Sequence, residues 1–145
     1  PDTNRLITVD NSDGTSGTAQ PNLTFDAATD NLTIGEYLET TSNRIEVVNN
    51  ASGDIQSSLS GTTYAGLIVD YSAYSTDRSH QRTGTIRVTA TSTGAVLAES
   101  STTDIGNTDG IVFSVTSGGG NFALTVNNTT GNTIRVIFQN TRLKV

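Results

Sequence analysis

The sequence predicts an all-β protein: an extended β-hairpin stem in residues 1–63, followed by an antiparallel, jelly-roll-like β-sandwich tip in residues 64–145. Three observations predict it. Apolar and polar residues alternate over windows of about four to eight residues, the period that lets a strand bury one face and hydrate the other. Nowhere do apolar residues recur at helical spacing for long enough to compete. Stretches rich in Gly, Asn, Asp and Ser, which bond their own backbone or accept positive φ, separate the windows.

In residues 1–63 the apolar residues come in small groups: Leu6, Ile7 and Val9; Leu23 and Phe25; Leu32 and Ile34; Ile45, Val47 and Val48. Leu23-Thr24-Phe25-Asp26 and Asn31-Leu32-Thr33-Ile34 read as the two arms of one hairpin, with the apolar residues on one face. An isolated hairpin is marginal in water, so these strands are expected to need partners, and identical chains supply them most simply. A chain opening Pro1-Asp2-Thr3, without Met, is expected to have been processed or to be part of something longer, with an N-terminal region that anchors it elsewhere.

The second part carries strands at 65–74, 83–91, 95–102, 110–116, 121–127 and 133–145. Turns fall at Thr93-Gly94, Asn107-Thr108-Asp109-Gly110, Gly118-Gly119-Gly120 and Thr130-Gly131-Asn132. The inward sets are Leu67, Val69 and Tyr71; Ile86 and Val88; Ile111, Phe113 and Val115; Phe122, Leu124 and Val126; and Ile134, Val136 and Phe138. Leu143 and Val145 lie on the opposite parity from Phe138, which predicts a bulge or bend near Gln139 to Thr141.

Composition narrows the function. Leu, Ile, Val and Phe supply 34 of 145 residues, just above the roughly 20% below which chains tend to stay disordered. A formal charge of −6 argues against gripping nucleic acid or an anionic membrane, which needs clustered Lys and Arg. No apolar run approaches the roughly 18 residues of a membrane span. With no Cys there is neither a disulfide nor a thiolate nucleophile or metal ligand.

The single histidine, His80, lies in the polar connection Ser75-Thr76-Asp77-Arg78-Ser79-His80-Gln81, without the strand-turn-helix serine elbow that nucleophilic catalysis would favour. Asp70 interrupts an apolar strand and is expected on the outer face, bonded to a neighbouring strand, or paired with Arg82 or Arg87. Asp10-Asn11-Ser12-Asp13-Gly14 resembles the start of a calcium loop but lacks the bidentate Glu further on. Gly118-Gly119-Gly120 lacks the Lys-Ser/Thr of a phosphate loop and reads as a hairpin turn. The absence of Trp argues against a sugar-cleaving cleft, since sugars are commonly gripped on aromatic faces. The chain is read as non-enzymatic, with no catalytic residue, cofactor or metal ion.

Leu23-Thr24-Phe25-Asp26 followed by Leu32-Thr33-Ile34 resembles the short β-repeats of bacteriophage fibre and tail proteins. Arg82-Thr83-Gly84-Thr85-Ile86-Arg87-Val88, Ser101-Thr102-Thr103-Asp104-Ile105-Gly106, Gly110-Ile111-Val112-Phe113-Ser114-Val115 and Gly120-Asn121-Phe122-Ala123-Leu124 resemble the C-terminal β-sandwich of such fibres. The resemblance covers roughly residues 20–145. It implies a homotrimeric appendage on the surface of a virion, bound to other virion structural proteins and carrying host attachment through its tip. The alternative is a capsid decoration or head-fibre protein that stabilises the shell without a receptor. Between strands, the loops 75–81, 101–109 and 117–121 are the expected contacts for a host glycan or protein, through Asp77, Arg78, His80, Asp104, Asn107, Asp109 and Asn121.

Overall fold

The computed structural model describes residues 5–9, 17–26, 28, 31–34 and 38–145, for 5–9, 17–26 and 31 the backbone alone. The calcium-like segment Asp10 to Gly14 lies outside the described residues. The strands are β1 (Arg5–Val9), β2 (Gly17–Asp26), β3 (Asn31–Ile34), β4 (Leu38–Val47), β5 (Ala51–Ser60), β6 (Tyr64–Ser75), β7 (Gln81–Ala90), β8 (Ala95–Ser101), β9 (Ile111–Gly118), β10 (Asn121–Asn128) and β11 (Ile134–Lys144). They form an eight-stranded antiparallel sheet in the order β1-β2-β3-β4-β11-β6-β7-β8 and a three-stranded one in the order β5-β10-β9. The fold is all-β, as expected, and the expected hairpin is present as β2 and β3, with Leu23 opposite Ile34 and Phe25 opposite Leu32.

The smaller sheet covers the inner face of β4, β11, β6 and β7, and the alternate residues of both sheets make one core. Leu67, Val69, Ile86, Ile111, Phe122, Leu124, Val126, Ile134 and Val136 are almost wholly shielded from solvent. Val115, the last inward residue of β9, is half-buried and packs against the same cluster. Tyr71 and Phe113 join the two sheets ring to ring, with centroids 4.6 Å apart and planes tilted by 54°, the inclined geometry that aromatic quadrupoles favour. Opposite Tyr71 in β7 stands Gly84, where a Cβ would run into the Ser100 carbonyl and the tyrosine ring. The ring occupies the space that the missing side chain leaves.

Successive strands β4 and β5 pair in reverse order with β11 and β10, one pair in each sheet, a nesting that jelly rolls share. The run β6-β7-β8 instead stays in one sheet as a meander.

The structure corrects two expectations. Strands β4 and β5 fall within the segment expected to form the stem, yet each belongs to a sheet of the sandwich and they bring Val47, Ile55 and Leu59 into the core. The sandwich sheets therefore take in residues 38–60 as well as those after residue 63. Nor is there a bulge at Gln139 to Thr141: β11 pairs with β4 without interruption from Ile134 to Leu143, and with β6 the register shifts only between Leu143 and Lys144. The inward parity continues past Phe138 through a polar residue, Asn140, which is 2% exposed.

Two buried asparagines make such positions tolerable, because a buried amide is stable only when hydrogen-bonded. Asn140 Nδ2 donates to the Ile55 carbonyl of β5 at 3.0 Å, in a strand whose register against β10 shifts twice. Asn128 Nδ2 donates to the Val47 carbonyl at 2.8 Å and to the Asn132 carbonyl at 2.7 Å, tying β4 to the turn before β11.

Between β9 and β10 the chain turns on Gly119 and Gly120, at φ 60° and 80°. Two consecutive positive φ values are those of a type I′ hairpin, whose twist matches that of the flanking strands. No atom lies within 4 Å of a Cβ built at Gly120, so substitution there tests the backbone alone. Gly120→Val should destabilise the fold by about 1–2 kcal/mol, read as a lower urea midpoint at unchanged slope, whereas Gly120→Asn should lose much less.

Candidate functional site

β3 pairs with the first residues of β4, from Leu38 to Thr41. The N-terminal strands thus join the sandwich at the end where β4 starts. At the far end, where β4 finishes at Val47, lie the connections 48–50, 76–80, 102–110 and 129–133. The loops 75–81 and 101–109, singled out from the sequence, are brought together there. The turn before Asn121 is not: it sits at the opposite end, where Gly61 N–H donates to the Gly120 carbonyl at 2.8 Å.

The remote rim is bonded across all four connections. Gln81 and Ile105 exchange backbone hydrogen bonds of 2.8 and 2.9 Å, so the two loops form one short ladder. His80 Nδ1 accepts the Asn107 N–H at 3.0 Å, which places the proton of the neutral ring on Nε2. Thr76 N–H donates to the Thr133 carbonyl at 3.0 Å, Thr129 N–H to the Gly110 carbonyl at 2.8 Å and Asn50 N–H to the Asn128 carbonyl at 2.7 Å. Gly131 N–H is held by Asn49 Oδ1 at 2.9 Å.

Within each loop, short side chains close the backbone on itself, the local bonding for which Asp, Asn, Ser and Thr favour turns. Asp77 Oδ1 accepts from the Ser75 hydroxyl at 2.5 Å, the Ser79 hydroxyl at 2.7 Å and the Ser79 N–H at 3.1 Å. Asn107 Oδ1 accepts the Asp109 N–H at 2.9 Å, and the hydroxyl of the fully buried Thr108 donates to Asp104. Arg78 has φ 63° and its guanidinium lies 4.0 Å from the centre of the Tyr74 ring, a cation–π contact. Apolar side chains stand among these polar groups: Val48, Ile105 and Val112 are 59%, 62% and 48% exposed.

Ser75 donates directly to Asp77, and His80 is bonded to Asn107 instead of standing between a hydroxyl and a carboxylate. Among the described residues no three His, Asp or Glu side chains are grouped to hold a metal ion. Asp70 takes the outer-face position, accepting the Thr85 hydroxyl at 2.6 Å across the strand pair.

The serine bonds, Ser75 first, hold the Asp77 carboxyl down at about 2, below its ordinary 3.8. A depressed carboxyl stabilises the fold above its ordinary value and loses that contribution as pH falls toward the folded one. The Ser79 amide shift should therefore titrate near pH 2, and Asp77→Asn should abolish that step.

Sequence reading found Asp77, His80, Asp104 and Asn107 as separate loop residues. It missed Ser75, Thr108 and Asn128, which fasten the loops; the Ser75-x-Asp77 and Asn107-x-Asp109 spacings are the signals that carried part of this.

No family model matches the chain, and no curated protein matches it. Among solved structures, the tailspike protein gp49 of the Acinetobacter baumannii bacteriophage Fri1, a capsular polysaccharide depolymerase, is similar with a TM-score of 0.39 and 10% identity. The match covers 84% of this chain and 20% of the tailspike, so this chain spans about a fifth of that protein.

Proposed function

We propose that the chain forms the outward end of a homotrimeric bacteriophage appendage and that the rim built from loops 75–81 and 101–109 attaches it to the host surface. The observation that carries this reading is the convergence of those two loops at the end remote from the N-terminal strands. A fibre anchored through its N-terminal side presents that end outward. The rim suits contact: it is bonded in one conformation, so little ordering entropy is lost on binding, and it mixes charged, amide and apolar groups. The sequence resemblance to fibre repeats and fibre tips points the same way.

Three copies on one rigid axis turn weak single contacts into firm attachment through effective concentration. The purified chain should then scatter light as a particle of about 46 kDa, three times 15.2 kDa. Alanine at Arg78, His80 and Asn107 together should abolish competition with phage adsorption, while Asn121→Ala, at the other end, should leave it intact. A particle of 15.2 kDa would sink the trimer, and adsorption competition undiminished by the triple variant would sink the rim. Antibody labelling confined to the shell, with no effect on adsorption, would identify a capsid clamp instead.

A further inference from the structure

A second polar concavity lies away from the rim, between β4 of the larger sheet and β5, an edge strand of the smaller one. It encloses about 240 Å³. It exists because the inward face of the larger sheet changes character along its strands: Val136 and Ile45 face one another, then Phe138 and Asn43, then Asn140 and Thr41. Past Phe138 the sheets are held apart by amides and a guanidinium. Gln56 Oε1 accepts from Asn140 Nδ2 at 3.3 Å and from Arg142 Nε at 3.1 Å.

Two features point to an occupant. Asn140 lines the hollow, is 2% exposed, and its Oδ1 has no donor among the described residues; a buried acceptor left unpaired is destabilising unless something donates to it. Charge is also balanced locally. Arg142 is paired with Glu39 at 3.3 Å, Lys144 also pairs with Glu39, and Asp54 sits on the wall of the hollow.

We propose that this cleft binds one ring of a neutral, hydroxyl-rich ligand, a single sugar residue. An anion meets the Asn140 oxygen and the Asp54 carboxylate, both acceptors, and a cation meets the Arg142 guanidinium. A hydroxyl donates and accepts at once, which matches walls that carry carboxylate and amide oxygens beside guanidinium and amide N–H groups. The volume falls short of the roughly 300 Å³ at which pockets for drug-sized ligands begin, which limits the ligand to a ring or a chain end. The site stands independently of the virion reading.

The test is an NMR titration of the intact chain with D-glucose, D-galactose and N-acetyl-D-glucosamine in turn, with glycerol as control. At least one sugar should shift the side-chain amides of Asn140 and Gln56 saturably, leaving His80 and Asn107 unmoved. Asn43→Ala and Asp54→Ala, on the wall and away from the buried amide, should keep the melting temperature and weaken that sugar's binding by about tenfold each. No saturable shift with any sugar, glycerol binding as tightly as the rings, or full affinity in both variants would overturn the assignment and leave a site for ordered water only. The unmoved rim signals separate failure here from failure of the attachment rim.

Discussion

Truncating Phe122 to alanine is expected to remove about 3–5 kcal/mol of stability. Phe122 is 1% exposed and lies on β10, the middle strand of the smaller sheet, opposite Leu59 of β5 and Ser117 of β9. Its ring is one of the largest side chains fully enclosed by the core. Both flanking strands are fixed by pairing to β10, so the vacated space cannot close by moving one of them alone. Urea denaturation followed by circular dichroism measures the loss. A fall under about 1 kcal/mol would mean that the sheets collapse onto the gap, contrary to the rigidity of a close-packed interior.

The second large effect is electrostatic. Arg82 pairs with Glu99 at 3.2 Å, their side chains being 12% and 24% exposed, and also donates to the Ile111 carbonyl at 2.7 Å. Glu99 in turn accepts the Tyr71 hydroxyl. Burial first and the Glu99 bond second push the Tyr71 hydroxyl well above the usual phenol range. Removing one member of a shielded pair leaves the other charge without its partner, so Arg82→Ala should destabilise by about 3 kcal/mol. Arg82→Met with Glu99→Gln should restore most of that, because the amide still accepts from Tyr71 and carries no charge. If the double variant is no more stable than Arg82→Ala, the pair is not the source of the effect.

The fold was legible where apolar residues keep period two. Leu67-x-Val69-x-Tyr71, Phe122-x-Leu124-x-Val126 and Ile134-x-Val136-x-Phe138 each gave a strand with the correct inner face, because in these segments burial alone sets the pattern. β4 and β5 were not recognised as part of the sandwich, for two physical reasons. The inward residues in the first half of β4 are polar, Glu39, Thr41 and Asn43. In β5 the register shifts put Ile55 and Gln56 both inside, which breaks the alternation. The same effect misplaced the bend in β11: Leu143 looked like an inward residue, whereas Asn140 holds the inner position through hydrogen bonds that no hydropathy pattern records. Loop chemistry could be read from residue types, but the end of the molecule to which each loop belongs follows from strand pairing across the whole chain. That is why Asn121 was grouped with residues from the other end.

β11, the last strand among the described residues, lies between β4 and β6 in the middle of the larger sheet. A ribosome making this polypeptide therefore releases β4 and β6 before the piece that bridges them exists. Until residue 144 has emerged, both present bare backbone to their surroundings. Long-range pairing of this sort is slow and leaves chains open to sticking together during synthesis. Maturation must wait for nearly the last amino acid described, and a nascent chain halted a dozen residues earlier has two unconnected half-walls in place of a sheet.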